Sequence, residues 1–263
     1  MLSTWHPAPS ALAGVLAGIW SVHAARDADL SARVLPDGTT CLAFQRYGTV
    51  LRSCDNAWSP WARTCVSGPR TGSFDFTLDA DGWILIVQLL PAGAMQALGV
   101  PMSSLTDRFE PLDAVVGSVS QRVSDCVLSD ADDLSCVRAI ERWLLERIRT
   151  EHTRCDVTDA VLQEVASRAG NVRVDDLARQ VNLSRRHLGR IMHERVGMSP
   201  KLFGRITRFD RAVQLARLRP MVPWARVALD IGYADQAHLS REFVELGGIR
   251  PSELRGASAT MIW

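Results

Sequence analysis

The strongest constraint on how this chain folds is a pattern that it carries twice. In VDDLARQVNLSRRHLGRIMHERVG, residues 174–197, Leu177, Ala178 and Val181 fall on one face of a short helix that begins with Asp175 and Asp176. Acidic side chains there suit the positive end of the helix dipole. A tight turn through Asn182 and Leu183 leads to Ser184, a residue type that caps a helix by accepting a backbone N–H. The helix that follows turns Leu188, Ile191 and Met192 inward, which leaves Arg185, Arg186 and Arg190 outside. The pattern returns in VPWARVALDIGYADQAHLSREFVEL, which starts at Val222. Pro223 is expected at the first helical position, with Val227, Ala228 and Ile231 inward. Asp235 then caps a second helix that buries Leu239 and Phe243 and exposes Gln236, His238, Ser240 and Arg241. Leu239 corresponds to Leu188, Arg241 to Arg190 and Phe243 to Met192, with the second turn one residue longer. Between the units, SPKLFGRITRFDRAVQLARL reads as a long helix with Leu202, Ile206, Phe209, Val213 and Leu215 on its apolar side.

Each unit has the grammar of a helix-turn-helix, whose second helix enters a DNA major groove. A single unit is common in helical hairpins of many kinds. Two, joined by a helix of fixed length, are far more restrictive. Charge agrees. The net charge is +1, but residues 171–263 hold 16 Lys and Arg against 9 Asp and Glu, whereas residues 1–170 hold 14 against 20. A taste for Arg, which supplies every basic residue except Lys201, does not explain that segregation by sign. A basic helical segment points to an anionic partner, and nucleic acid is the usual one.

The chain is long enough, at 263 residues and 47% hydrophobic, for two domains with separate cores. From about Trp20 to Leu90 the patterns are short and strand-like. RVLPDGTTCLAFQ and FDFTLDADGWILIVQLL each carry an Asp-Gly turn signal flanked by apolar or alternating runs. ALAGVLAGIWSVHA is too short to span a bilayer and no Lys or Arg precedes it, so it reads as a buried strand or helix rather than a signal. After Pro91 the period changes. PAGAMQALG reads as a short helix, and PLDAVVGSVSQRVSDCVL and DDLSCVRAIERWLLERIRT as longer amphipathic ones. In the last, Leu134, Val137, Ile140, Trp143, Leu144 and Ile148 make one stripe, for a core or a dimer interface. The aromatic residues Trp20, Phe44, Trp58, Trp61, Phe74, Phe76 and Trp83 belong to a core or line a pocket.

On the stretches LARQVNLSRRHLGRIMHERVGMSP and VALDIGYADQAHLSREFVELGGIRPSEL the sequence resembles the AraC/XylS family of bacterial transcription regulators, over about residues 160 to 256. The resemblance implies a DNA-binding domain of two helix-turn-helix units joined by a long helix, inserting two recognition helices about 34 Å apart on one face of the duplex. Carried onto this sequence, it implies that Arg186 and Arg190 read bases, Arg185 contacts phosphate, and Gln236, His238 and Arg241 read bases in the second unit. Arg donates bidentately to guanine O6 and N7, and Gln pairs with adenine N6 and N7. Ser184 and Ser240 complete the DNA-facing set, while His187 and His238 also fit packing or capping roles. Some positions depart from the family. Gly189 replaces a bulkier polar residue, Arg173 stands where Thr or Ser caps the first helix, Leu239 and Tyr233 stand where Phe is common, and ELGGIRP doubles the glycine. The first unit is thus expected to lean on phosphate and leave specificity to the second. The N-terminal stretches also resemble the uncharacterised β-rich domain that accompanies a subset of these regulators.

Other chemistry finds little support. No GxSxG, Walker loop, GxGxxG or HExxH occurs. The six cysteines are irregularly spaced, without CxxC, which fits reduced cytosolic thiols. Cys126, Cys136, His152 and Cys155 match no common zinc framework and read more simply as small apolar residues. DNA-repair methyl-transfer proteins that carry the same DNA-binding module are the alternative, but their Pro-Cys-His-Arg type site is absent. The expectation is an α+β chain: a β-rich, small-barrel-like sensor region at 1–110, a helical dimerisation or linker region at 111–155, and an all-α double helix-turn-helix at 156–263. It is expected to be a cytoplasmic regulator, more an activator than a repressor, and not an enzyme, with no cofactor or metal. Its expected partners are double-stranded promoter DNA, RNA polymerase, a small-molecule effector and a second copy of itself, with no membrane.

Overall fold

The apolar runs of the N-terminal part become strands of two facing antiparallel sheets. The computed structural model describes residues 2–26, 29–54, 57–129, 132–150 and 156–256. Its strands are β1 (Leu2–Pro7), β2 (Leu16–His23), β3 (Leu30–Val34), β4 (Thr40–Tyr47), β5 (Val50–Cys54), β6 (Ala57–Pro60), β7 (Thr64–Ser67), β8 (Phe74–Leu78), β9 (Trp83–Leu89) and β10 (Phe109–Pro111). One sheet has the order β1-β2-β9-β4-β7-β10 and the other β3-β8-β5-β6. Strand β9 explains why WILIVQL is apolar almost throughout. Trp83, Leu85, Val87 and Leu89 pack toward the following helices, while Ile84 and Ile86 face the smaller sheet. The Asp-Gly turns form, but neither closes a hairpin. Asp37-Gly38 carries the chain from β3 to β4, and Asp81-Gly82 from β8 to β9, each time from the small sheet to the large one. Gly38 and Asp81 take positive φ, 84° and 58°, to make those crossings.

Helices α1 (Pro91–Leu98), α2 (Leu112–Val116), α3 (Gln121–Leu128) and α4 (Asp133–Thr150) cover the other face of the large sheet. The expected long helix over 111–128 is broken, because Gly117 adopts φ 71° and a 3-10 turn, Gly117–Ser120, separates α2 from α3. On α4 the buried stripe is Cys136, Val137, Ile140, Trp143 and Leu144, whereas Leu134 is exposed, one turn too early to reach the sheet. Of the expected aromatic core, Phe44, Phe74, Phe76 and Trp83 are buried and Trp58 is not. The thiols of Cys41, Cys65, Cys126 and Cys136 are free, and Cys126 is exposed rather than buried. No cluster of metal-ligating side chains forms among the described residues. His152 and Cys155, at the end of the expected 111–155 region, lie outside them.

The C-terminal part is helical: α5 (Asp156–Ser167), α6 (Val174–Gln180), α7 (Arg185–Val196), α8 (Pro200–Leu218), α9 (Trp224–Ile231), α10 (Gln236–Gly247) and α11 (Pro251–Gly256). Its core is strung along α8. Phe203, Ile206, Phe209, Ala212, Val213 and Ala216 are buried there, and the expected Leu202 and Leu215 only pack against its edge. The Phe209 and Phe243 rings meet edge to face at 4.9 Å, which ties α10 to α8. The turn after α5 comes so close to α8 that a Cβ on Gly170 would lie 2.1 Å from the Gly204 carbonyl oxygen.

The two parts share a seam. Leu35, on the crossing after β3, is buried in the C-terminal core, and the Phe203 ring lies against Gly38. The Thr106 hydroxyl donates to Gly197 O at 2.7 Å, the Ser73 N–H to Leu246 O at 2.9 Å, and Arg33 Nη1 to Gly248 O at 2.8 Å. These acceptors end α7 and α10, so the N-terminal part satisfies carbonyls that a helix C-terminus leaves unpaired.

Candidate nucleic-acid interface

The repeat is geometrical as well as sequential. Leu183 N–H bonds to Ala178 O at 2.9 Å, and fifty residues later Tyr233 N–H bonds to Ala228 O at 2.8 Å. Each turn uses one left-handed residue, Asn182 with φ 54° and Gly232 with φ 85°. Ser184 Oγ accepts the His187 N–H at 3.2 Å, and Asp235 Oδ1 accepts the His238 N–H at 2.6 Å. Ala234 supplies the extra residue of the second turn. Leu188 and Leu239 are both fully buried, as are Met192 and Phe243. Helices α7 and α10 end in left-handed Gly197 and Gly248. Pro223 stands one position earlier than expected, as the residue preceding α9, because Trp224 makes the first helical turn.

With those side chains inward, the opposite faces are set. Arg185, Arg186, His187 and Arg190 are exposed along the start of α7. Arg185 Nε lies 3.2 Å from Asp175 on α6. Arg190 is held by its own helix, Nη1 at 3.4 Å from Glu194 Oε2 and Nη2 donating to His187 Nε2 at 3.1 Å. Both ion pairs are solvent-exposed and worth about 1 kcal/mol at most, so either guanidinium can be taken over by a stronger anion. Arg186 and Arg241 make no hydrogen bond or ion pair among the described residues. On α10, Gln236 and Arg241 are exposed. Ser240 donates back to Gln236 O at 2.9 Å, and half-buried His238 packs edge-on to Tyr233 at 5.2 Å. The structure therefore brings Ser184, Arg185, Arg186 and Arg190 onto one surface, and Gln236, His238, Ser240 and Arg241 onto its repeat.

Two basic residues escaped the sequence reading. Arg250, before α11, lines a surface groove with Gln236, Ser240 and Arg241, and Lys201 lies in the first turn of α8 beside a groove that includes His238. Arg250 follows the doubled glycine that was read as a departure, so nothing local marked it. Beneath the surface, Glu242 is 7% exposed, and its Oε1 accepts from Arg205 Nε at 2.8 Å, which fastens the inner side of α10 to α8. Thiol chemistry is unfavourable on the large sheet. Burial pushes Cys41 and Cys65 up to about 12, which keeps both as thiols rather than nucleophilic thiolates.

A sheet-rich N-terminal domain followed by two helix-turn-helix units on a central helix defines the class as a two-domain DNA-binding regulator fold. Residues 177–257 match a helix-turn-helix domain family of the AraC type, and residues 4–111 match a domain of unknown function, DUF6597. ToxT from Vibrio cholerae has a similar fold, with a TM-score of 0.51 at 12% identity over 90% of this chain and 97% of ToxT. An AraC-type DNA-binding domain from Chromobacterium violaceum is 25% identical over 36% of this chain and 86% of its own, with a TM-score of 0.34. A comparison with curated protein sequences gave no match. No helix among the described residues is long and apolar enough to cross a membrane.

Proposed function

We propose that the chain is a sequence-specific transcriptional regulator of the activator kind, in which α7 and α10 read successive major grooves. One observation carries this reading: the same cap, turn and buried leucine recur at an offset of fifty to fifty-one residues and turn an arginine-bearing face outward each time. Arg186 and Arg190 read bases in the first unit, with Ser184 and Arg185 on phosphate. Gln236, His238, Ser240 and Arg241 form the reading face of the second. Gly189 leaves the middle of the first face bare, so the second unit carries more of the specificity. The division of labour is 1–110 for sensing, 111–155 for dimerisation and 156–263 for DNA. Exposed Val119 and Leu134 beside α3 and α4 support an interface there. The effector is a small molecule, a reading supported by the similarly folded ToxT solved with an unsaturated fatty acid bound. The protein acts in the cytoplasm, contacts RNA polymerase, and is not an enzyme.

Fluorescence anisotropy of the full-length protein on a duplex library, at 50 to 200 mM salt, tests the DNA reading. Several arginines displacing counterions should make log K fall steeply with log salt. A flat salt dependence, or no duplex binding at the lowest salt, contradicts it.

A further inference from the structure

Both recognition helices end on one short piece of the N-terminal domain, the strap Gly68–Ser73 that carries the chain from β7 to β8. Pro69 packs at the end of α7. A Cβ on Gly197 would lie 3.0 Å from Pro69 Cγ and 2.5 Å from Thr106 Oγ1, the hydroxyl that donates to Gly197 O. Four residues on, the Ser73 N–H donates to Leu246 O in the last turn of α10 at 2.9 Å, and Gly248 O accepts from Arg33 Nη1 at 2.8 Å. Arg33 is itself aimed by the facing strand, its Nε and Nη2 donating to Asp75 Oδ1 and Oδ2 at 2.7 and 2.9 Å. Between these ends the strap is pinned. Thr71 donates through its N–H and hydroxyl to Asp107 at 2.8 and 2.6 Å, the Asp107 N–H bonds to Pro69 O at 3.0 Å, and the Gly68 N–H to Arg108 O at 3.0 Å. Gly68 lies so close to Leu105 that an added Cβ would stand 1.9 Å from its carbonyl oxygen. The four peptide steps from Pro69 to Ser73 reach at most about 14 Å, so the strap has little slack to give to either helix.

We propose that this strap is a gauge: it fixes α7 relative to α10, and through them the separation between two DNA elements that the protein accepts. Thr106, Ser73 and Arg33 are its positioning residues. The proposal rests on the reading of α7 and α10 as two DNA readers and names what sets their spacing. The geometry suits the task. Each helix has 12 residues and is about 18 Å long. Tilting such a helix by about 10° at its held end moves its start by about 3 Å, close to the rise of about 3.4 Å per base pair. Small slack at the strap thus becomes a register error at the bases. Arg186 and Gln236 stand exposed at the other ends of the two helices, so the strap holds both without covering the faces that read.

The test uses the full-length protein and the two-element duplex that it enriches from a random library, with copies in which one base pair is inserted or removed between the elements. The parent protein should lose about tenfold or more in affinity on the altered copies, the worth of a misplaced bidentate base contact. A Gly-Ser insertion between Thr71 and Gly72 lengthens the strap beyond its anchor on Asp107, and should shrink that penalty to less than about threefold. Thr106→Val and Arg33→Gln each remove one bond to a recognition helix and should shrink it in part, while Thr106→Ser keeps the hydroxyl and should restore it. Base preference within each element should stay unchanged throughout. If the insertion variant does not fold, the two point variants carry the test. A penalty that stays whole in every folded variant, or variants that weaken all spacings equally, overturns the gauge and leaves the two-reader account standing. A parent protein that binds one element as tightly as two overturns both.

Discussion

Removing the Glu242 carboxylate should loosen the second recognition helix more than any exposed charge on it would. Glu242 lies on the inner side of α10, 7% exposed, with Oε1 2.8 Å from Arg205 Nε and Oε2 4.0 Å from Arg208 Nη2. Truncating one partner of a buried pair costs about 3 to 5 kcal/mol when the other charge is left stranded. Arg205 is not fully stranded, because its Nη2 also reaches Glu245 at 2.8 Å, and it is 24% exposed. Oε2 moreover has no hydrogen bond to lose. The net expectation for Glu242→Ala is therefore about 2 kcal/mol, below that range. Glu245, 61% exposed, is the internal control, and Glu245→Ala should cost less than about 1 kcal/mol. Equilibrium urea denaturation of the full-length variants measures both. Adding Arg205→Ala closes a double-mutant cycle, and the coupling to Glu242 should exceed the coupling to Glu245. If the two Glu variants are equally mild, the buried pair does not hold α10, and the Phe209–Phe243 contact must do so alone.

Gly170→Ala should destabilise by more than about 2 kcal/mol, since φ 80° disfavours any Cβ and the added atom would meet Gly204 O at 2.1 Å; a mild effect in the same denaturation assay would mean that the α5–α6 turn can move. Gly189→Ala should do the reverse, raising stability by up to about 1 kcal/mol, because nothing lies within 4 Å of the new Cβ on an otherwise regular helix. Burial first, then the charge of Asp37 across the seam, raises Asp210 to about 7 despite the Gln214 side chain donating to it at 2.6 Å and nearby Arg211 and Arg217. A carboxylate with a raised folded-state pKa binds more protons folded than unfolded, so the contribution of Asp210 to stability is full below about pH 4 and is lost as pH rises to about 7. Asp210→Asn should flatten that fall, as followed by melting temperature against pH; an unchanged slope would place the titration elsewhere.

The DNA-binding half was legible because its signals are local. Ser184 and Asp235 cap within three residues of themselves, and the spacing of Leu188 and Met192 fixes which face is buried before any tertiary contact forms. The N-terminal half was legible as strands but not as sheets. The Asp-Gly turns announce a reversal, yet only distant pairing, such as Ala32 with Phe76, decides which sheet each strand joins. Gly117 looked tolerable in a periodic helix, and its positive φ became visible only in the structure. The seam was illegible for the same reason. Thr106 and Gly197 are 91 residues apart, and neither residue type signals a contact across domains.

The central claim is that two helices of one chain each read DNA, and selection of bound duplexes from a random library tests it most directly. The full-length protein, Arg190→Ala and Arg241→Ala are carried through together at near-physiological salt. The account predicts a motif of two elements about ten base pairs apart, with Arg190→Ala blurring one and Arg241→Ala the other, each by about 1 to 3 kcal/mol at its base pair. A single element, or a motif that both variants weaken uniformly at every position, would contradict it.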